Sequence, residues 1–451
     1  MPLKSIVMVF ALCLFCRVYS AQQLTEVSTN TYGIVTNGTV YYLDYYMPDQ
    51  LTFYAAIHAH DLNTNSTDVL LPQDGSSPYF IYFGVTGNHL PHVLMQNSTG
   101  GGAMPKLNQG EFGPGGGSMA LYLKDYDLTS GSSTRIVSDS SWKEMVWAGG
   151  DYVTWIDYRH ITTTDSNNGE IYLYSYTSGA AERVTQTPWW ESSPFTDGNT
   201  VVWVSYENGE YGNVYYRDVS GGTPQAVSPG TWHQDKPRVY GRYIVWEDYR
   251  NAGTDPTNAD IFACDLQSGE IFEVCTEENF QGNPYISGSV VVWEDYRNES
   301  SDGINADIYG YDISSNLHLP VVVQSGYQGN PTIHNDTVCW LSMSADSTMW
   351  LYLDTINRSS EVRIKKGQSN THAVSLHADL SAAKLVLSGM DGRLRGISLY
   401  DTRGRCVNEY DKVCQGSSVE WVFDRKLSAG RYIIWVHTTE GRHMVNEMIG
   451  Y

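Results

Sequence analysis

The sequence predicts an all-β protein, a seven-bladed β-propeller followed by a small antiparallel β-sandwich. The main observation is a tryptophan that recurs every 43 to 48 residues, at Trp155, Trp203, Trp246, Trp293 and Trp340. Three of these residues begin the near-identical strings WIDYR, WEDYR and WEDYR, and each follows a short apolar run. Repeats of about 40 to 50 residues that consist of short strand-like runs are typical of propeller blades.

Each repeat contains the same four parts in the same order. Strand A follows a proline or valine, as in PYISG, and strand B contains the tryptophan, as in VVVWEDY. A polar loop leads to strand C, as in DIYGYDI, and a short turn leads to strand D. Applied upstream, this template places Tyr42 and Tyr82 at the tryptophan position, which gives seven blades. The glycine-rich residues 87–118 are then predicted to be a long loop of the second blade.

The ring of blades is predicted to close through the start of the mature chain. The segment QLTEVST has the character of a fourth strand with no blade before it. Pairing with the last blade closes the ring and covers two sheet edges that would otherwise promote aggregation.

Three regions follow from this pattern. Residues 1–20 have the features of a secretory signal peptide, with Lys4 before an apolar run and small or polar residues at its end. Residues 21–366 form the propeller and residues 367–451 the sandwich. No later stretch reaches the roughly 18 apolar residues of a transmembrane helix. We therefore expect a protein that is secreted or displayed on the outer cell surface.

Two resemblances accompany these patterns. The strings ISLYDTRGR, LSAGRYIIWV and GRHMVNEMIG make the last fifth of the chain similar to the C-terminal sorting domain of the type IX secretion system. This resemblance implies the type IX secretion machinery as a partner. The WEDYRN and DIYxYDL strings resemble TolB-like surface propeller repeats, which implies the propeller fold and a binding role.

Charge limits the class of partner. The chain has 28 basic and 50 acidic residues and a net charge of −22. Such a chain repels phosphate backbones, and no basic stripe offsets the repulsion, so nucleic acid is excluded as a predicted partner. A glycan or an extracellular protein fits this charge.

Cysteine spacing predicts two local disulfides. Cys264 and Cys275 flank a hairpin turn, and Cys406 and Cys414 flank the segment VNEYDKV. In an oxidising compartment, each pair is placed to bridge two antiparallel strands. Cys339 takes a position that valine holds in other repeats, which predicts a buried thiol.

Arginine and acidic residues are lost together between repeats. Blades three, five and six carry Arg159, Arg250 and Arg297 after strand B, and Glu170, Asp260 and Asp307 at the start of strand C. Blades four and seven lack both the arginine and the acid. Joint loss is the pattern of a structural arginine–carboxylate pair across two strands. The alternative is that Arg250 or Arg297 neutralises a substrate carboxylate.

Clustered oxygen side chains in the loops before strand C suggest a metal. The candidate calcium ligands are Asp255, Asn258, Asp260, Asp302, Asn305 and Asp307. Calcium takes 6 to 8 oxygen ligands at about 2.3 to 2.6 Å. Asp and Asn also form turns without any metal, so a turn cap is the competing interpretation, and no other cofactor is expected.

Aromatic and polar residues collect where the loops enter strand A. The predicted ligand-binding residues are Trp189, Trp190, Trp232, His233, Gln234 and Asp235. Flat rings beside amide and carboxylate groups suit the apolar faces and hydroxyl edges of sugars. The alternative is that repeated aromatic residues, such as Phe280 and Tyr327, fill the gaps between blades.

A weak catalytic set lies on the same predicted face. Secreted polysaccharide lyases with propeller folds use His, Tyr and Arg, which makes His233, Tyr249 and Arg250 candidates for proton abstraction and charge stabilisation. No nucleophile elbow, Walker loop or dinucleotide fingerprint occurs in the sequence. We therefore predict a non-catalytic binding module for a glycan or a protein, with a polysaccharide lyase as the alternative.

Overall fold

The structure is a computed structural model. It describes residues 22–27, 32–49, 52–71, 79–97, 119–137, 139, 141–160, 168–207, 209, 211–253, 255, 257–299, 305–344, 347–356, 375–379, 384–388, 394–401, 406–411, 418–422, 430–438 and 441–449.

The prediction of an all-β, seven-bladed propeller is confirmed. Seven four-stranded antiparallel sheets follow one another along the chain, and each blade runs from strand A to strand D. In blade order the strands are β2 (Gly33–Thr36), β3 (Thr39–Asp49), β4 (Thr52–Asp61), β5 (Ser66–Leu71); β6 (Tyr79–Phe83), β7 (His89–Asn97), β8 (Met119–Asp127), β9 (Ser132–Arg135); β10 (Lys143–Gly149), β11 (Tyr152–Asp157), β12 (Glu170–Ser175), β13 (Ala180–Arg183); β14 (Glu191–Thr196), β15 (Thr200–Ser205), β16 (Asn213–Asp218), β17 (Gln225–Ala226); β18 (Gln234–Tyr240), β19 (Tyr243–Asp248), β20 (Asp260–Asp265), β21 (Glu270–Cys275); β22 (Gln281–Ser287), β23 (Val290–Asp295), β24 (Asp307–Asp312), β25 (Leu317–Val322); β26 (Gln328–His334), β27 (Thr337–Met343), β28 (Met349–Thr355) and β1 (Gln22–Val27).

The ring closes as the sequence predicts. Strand β1 is the outer strand of blade seven and pairs antiparallel with β28, with Val27 opposite Met349. The first strand of the described chain therefore completes the last blade, so one edge strand is paired and the blade has its full four strands.

The recurring tryptophans form the packing between blades. All five are at most 2 % exposed, and they lie among the valine and isoleucine side chains of strands B and C. Trp246, for example, packs in one cluster with Val202 and Val214 of the preceding blade. A fully buried aromatic ring contributes a large apolar area, so the tryptophan repeat is a packing signal.

Blade two departs from its predicted alignment. Tyr82 lies on strand A, and residues 89–97, predicted as loop, form strand B. His89 and His92 consequently belong to the sheet, where His92 is buried and hydrogen-bonds the carbonyl of Leu90. The template failed because the aromatic, apolar strand A of this blade, YFIYF, has the composition expected of a strand B.

The predicted Cys264–Cys275 disulfide is wrong. The hairpin register places Cys264 opposite Ile271 and Cys275 opposite Ile261, so the two sulfurs do not face each other. Both thiols are buried, in clusters on opposite sides of the blade. Cys339 is a buried thiol, as predicted. For the Cys406–Cys414 prediction, Cys414 lies outside the described residues.

Seven further strands follow the propeller in two antiparallel sheets. One sheet has the order β29 (Ser375–Asp379), β30 (Lys384–Ser388), β33 (Ser418–Val422), and the other β32 (Cys406–Asp411), β31 (Leu394–Asp401), β34 (Gly430–Thr438), β35 (Gly441–Ile449). The described part of the chain contains no helix long and apolar enough to cross a membrane.

Candidate functional site

Strand A begins and strand B ends on the same face of each blade, which we call the entry face. In blade five, Gln234 at the start of strand A lies directly opposite Asp248 at the end of strand B. The loops that enter strand A and those that join strand B to strand C both open here. The predicted binding, catalytic and calcium residues therefore belong to one face of the propeller.

The arginine that follows strand B does not pair with the acid of strand C, which corrects the predicted pairing. The guanidinium of Arg250 donates to Asp248, two residues earlier, with Nη2 at 2.7 Å from Oδ2. Arg297 binds Asp295 in the same way at 2.6 Å. Both aspartates are fully buried, which removes their carboxylates from water. The arginine is the charged partner that compensates this desolvation.

The strand C acids have other partners. Asp260 accepts from the amide of Asn251, and Asp307 accepts from Asn298, each at 2.7 Å. Burial raises the pKa of Asp260 to about 6 and that of Asp307 to about 7. In blade three, Glu170 binds Arg183 of strand D rather than Arg159.

The buried aspartate also accepts from the blade's tryptophan. The indole nitrogen lies 2.8 Å from Asp157 in blade three, 2.7 Å from Asp248 in blade five and 2.8 Å from Asp295 in blade six. In blades four and seven, Ser205 and Ser342 stand at this position, and the arginine is replaced as well. Joint loss therefore reflects the short-range Trp–Asp–Arg contact.

The first residue of strand A lies directly opposite this position of strand B. The cross-strand pairs are Lys143 with Asp157, Glu191 with Ser205, Gln234 with Asp248, Gln281 with Asp295, and Gln328 with Ser342. Blade four thus moves its carboxyl group from strand B to strand A. Glu191 is fully buried beside Thr187, and burial raises the pKa of Glu191 to about 8.

Exposed aromatic residues lie on the entry face of blades four and five. Trp189 and Trp190 are 42 % and 44 % exposed. The ring of Trp190 stacks on Tyr206 with centroids 4.5 Å apart, and Tyr206 lies 5.9 Å from the His233 ring. His233 lies 5.1 Å from Tyr249. We call Trp190, Tyr206, His233 and Tyr249 the aromatic array.

Trp232 differs from its two predicted companions. Its ring is partly buried, and the guanidinium of Arg250 lies over it at 5.0 Å from the ring centroid. Its indole nitrogen is buried and has no hydrogen-bond partner among the described residues. Trp232 therefore packs beneath the loop, whereas Trp189 and Trp190 present their rings to solvent.

Two of the three catalytic candidates are neighbours, since the rings of His233 and Tyr249 lie 5.1 Å apart, but each candidate is bound to other groups. His233 Nδ1 accepts from the backbone of Gly212 at 3.1 Å, and the Tyr249 hydroxyl donates to Glu247 at 3.2 Å. Burial and the nearby Glu247 carboxylate raise the pKa of Tyr249, which disfavours a tyrosinate base. Arg250 turns towards Asp248 and Ser228 and away from a common point with the other two.

The two polar residues predicted beside the array have different surroundings. Gln234 is fully buried and joins blades four and five, since it accepts from the backbone of Val214 and donates to the Ser228 carbonyl. Asp235 is partly exposed and accepts from Ser193 Oγ at 2.8 Å. Only Asp235 therefore remains accessible to a ligand.

The carboxylates and Asn305 of the predicted calcium loops bind other protein groups where they are described, whereas Asn258 Oδ1 is buried without a partner among the described residues. Asp255 accepts from the backbone and hydroxyl of Thr257, as in a turn cap. Asn305 accepts from the backbone of Gly326 in the loop towards blade seven. Asp302 lies outside the described residues, and the described residues contain no group of three or more His, Cys, Asp or Glu side chains placed for a metal.

A cationic side chain on strand A of blade five was not anticipated from the sequence. The guanidinium of Arg238 lies 4.9 Å from the Trp147 ring, 5.0 Å from Phe195 and 5.6 Å from Tyr285. These rings come from strand A of three other blades, so they meet at the propeller axis. The sequence did contain an indication of this contact, because Arg238 takes the position in strand A that Phe195 and Tyr285 hold in the two adjacent blades.

Comparison with known proteins supports the fold. No protein-family model and no curated protein matches the chain. Among solved structures, it is similar to the β-propeller domain of the trilobed protease from Pyrococcus furiosus, with 10 % identity, a TM-score of 0.50, and coverage of 75 % of this chain and 99 % of that one. It is also similar to prolyl endopeptidases, with 12 % identity, a TM-score of 0.51, and coverage of 84 % and 56 %.

A third similar structure is an oligogalacturonate lyase in complex with manganese, with 12 % identity, a TM-score of 0.47, and coverage of 75 % of this chain and 98 % of that one. The chain spans only about half the length of the peptidases that it matches. At these identities, the comparisons establish the propeller fold and no particular activity.

Proposed function

We propose that this protein is a non-catalytic binding module for glycans, and that the glycan lies on Trp189 and the aromatic array of blades four and five. The observation that carries the proposal is the exposure of two adjacent tryptophans, at 42 % and 44 %, one of them already stacked on a tyrosine. Large exposed apolar side chains on a rigid scaffold indicate a binding surface, since they remain in water without a packing role.

The chemistry of the surroundings favours a sugar. Indole and phenol rings pack against the apolar faces of pyranose rings, and Asp235 and the Tyr206 hydroxyl lie where hydroxyl groups at the sugar edge are expected. The excess of acidic residues favours a neutral glycan over a polyanionic one. A protein ligand is the other partner compatible with this surface.

The contacts of the catalytic candidates support binding rather than lyase chemistry. A lyase requires a base near the substrate proton and a cation near the developing charge. Arg250 is engaged by a buried aspartate and by the Trp232 ring, so it is not directed at a substrate on the array. Export through residues 1–20 and surface sorting through residues 367–451 belong to the same proposal.

The experiment compares exposed and packed aromatic residues. Trp189→Ala and Trp190→Ala each remove one solvent-facing ring and are expected to weaken glycan affinity by several-fold to tenfold, about 1 kcal/mol each, with little change in melting temperature. Phe280→Ala is the control, because Phe280 is partly buried against Tyr296 and Gly282 in blade six. It should lower the melting temperature and leave affinity unchanged. Unaltered affinity in both tryptophan variants contradicts the proposal.

A further inference from the structure

Blade seven lacks a carboxyl group that the four preceding blades all have. In blades three, five and six, an aspartate at the end of strand B supplies it, and in blade four Glu191 supplies it from strand A. In blade seven the same two positions are Gln328 and Ser342, which lie directly opposite each other. The other blades therefore show which groups normally occupy these two positions of blade seven.

The donors that normally serve this carboxylate are still present. Trp340 is 2 % exposed and Gln328 is fully buried, like their equivalents in the other blades. In blade five, the equivalent tryptophan and glutamine both donate to the aspartate, at 2.7 Å and 3.2 Å. The Trp340 indole nitrogen and both polar atoms of the Gln328 amide are buried and have no hydrogen-bond partner among the described residues.

Unpartnered buried groups of this kind are costly. A buried polar atom without a partner loses its hydrogen bonds to water and gains none in the protein, so native structures keep few of them. Two of these atoms, the Trp340 indole nitrogen and the Gln328 amide nitrogen, are donors, and together they indicate an acceptor outside the described residues. The third, Gln328 Oε1, carries no such information, because the equivalent atom of Gln281 is unpartnered in blade six, which has its aspartate. The partner must offer hydrogen-bond acceptors to the indole and the amide.

We propose that blade seven contains a binding site for a small carboxylate, held by Trp340 Nε1, the side-chain amide of Gln328 and the hydroxyl of Ser342. A carboxylate is the group that the protein itself places against the tryptophan indole in blades three, five and six. The Ser342 side chain is smaller than aspartate by two heavy atoms, and Ser344 replaces the neighbouring arginine, so the ligand would take the place of parts of two side chains. The site is separate from the aromatic array and does not depend on the proposed glycan function.

Access from solvent follows from a second replacement. Arg159, Arg250 and Arg297 lie over the aspartate at the surface of their blades. Blade seven has Ser344 at that position, and Ser344 is exposed. Without a guanidinium the ligand is bound by neutral donors alone, which predicts weak affinity, in the millimolar range.

The test is a titration with sodium acetate, observed through the indole N–H resonances of the ¹⁵N-labelled full-length protein. Trp340→Phe identifies the Trp340 resonance by its loss. Acetate is expected to move this resonance in a saturable way, while sodium chloride at the same ionic strength does not. Ser342→Asp fills the site with a carboxyl of the chain and should abolish the response; Ser342→Asn serves the same purpose if the aspartate variant does not fold.

Two internal controls accompany the titration. Trp246 lies in blade five, where its indole already donates to Asp248, so its resonance should not respond to acetate. The variant Trp190→Ala should leave the Trp340 response unchanged, which separates this site from the glycan surface. An acetate response that is absent, non-saturable or retained in Ser342→Asp overturns the proposal, and an absent response assigns the site to ordered water.

Discussion

Replacing Glu191 by glutamine is expected to stabilise the protein at neutral pH. Glu191 is fully buried at the start of strand A in blade four, where blades five, six and seven have glutamine. Its Oε1 accepts from the Thr187 hydroxyl, and its Oε2 is buried without a partner among the described residues. A glutamine preserves the acceptor and removes the possibility of a buried charge.

The magnitude follows from proton linkage. Burial raises the pKa of Glu191 from 4.5 to about 8 in the folded protein. Between these two values the folded state holds a proton that the unfolded state has lost, so the stability of the wild type falls as pH rises. The fall is about 1.4 kcal/mol per pH unit, which gives glutamine an advantage of about 3 kcal/mol at pH 7.

The assay is urea unfolding of the wild type and Glu191→Gln at several pH values from about 5 to about 8. The difference in unfolding free energy should be small near the unfolded pKa, grow with pH, and level off above the folded pKa. Glu270→Gln, an exposed glutamate of blade five, is the matched control and should show no such trend. A difference that is independent of pH, or a variant less stable than the wild type at pH 7, refutes the reasoning.

Three further predictions concern the blades. A double-mutant cycle of Asp248→Asn and Arg250→Gln should give a coupling energy of about 1–3 kcal/mol in denaturant melts. The cycle of Arg250 and Asp260 should instead be additive within about 0.5 kcal/mol. A larger coupling energy for Arg250 with Asp260 than with Asp248 would support the cross-strand pair predicted from the sequence. Cys264 and Cys275 should both react with a thiol reagent after unfolding without reductant, and mass spectrometry that finds them linked would contradict the register. Gly149→Ala should destabilise by about 1–3 kcal/mol, because a Cβ there meets the Thr196 carbonyl oxygen at 2.3 Å, and an unchanged melting temperature would contradict this close approach.

The sequence predicts the propeller well because its signal is repeated. Five tryptophans at nearly constant spacing report the same inter-blade packing five times, and the closing strand follows from counting four strands in each blade. Blade two was misaligned where the repeat lacks its tryptophan. Its strand B, His89–Asn97, alternates apolar and polar residues only weakly.

The contacts within the candidate site were predicted less completely than the fold, since the residue types in a repeat do not show which side chains are neighbours in space. The loss of Arg250 equivalents in blades four and seven correlates equally with the aspartate two residues before and with the strand C acid. Only the distances in the structure show that the aspartate two residues earlier, and not the strand C acid, binds the arginine. The repeats show that blade four has Ser205 in place of the strand B aspartate and Glu191 at the start of strand A. Recognising that the two residues lie opposite each other required the cross-strand register. The exposure of Trp190 and the partial burial of Trp232 depend on the conformation of their loops, which cannot be predicted from the repeat pattern.

The most direct test of the proposed function is a glycan array with the full-length protein and with its Trp189→Ala, Trp190→Ala double variant, combined with an absorbance assay for unsaturated products on uronate polymers. The wild type should bind a defined set of glycans, the double variant should lose that binding while retaining its melting temperature, and no product should form. Binding that survives in the double variant, or the release of unsaturated uronate, would contradict a non-catalytic glycan-binding role for this face.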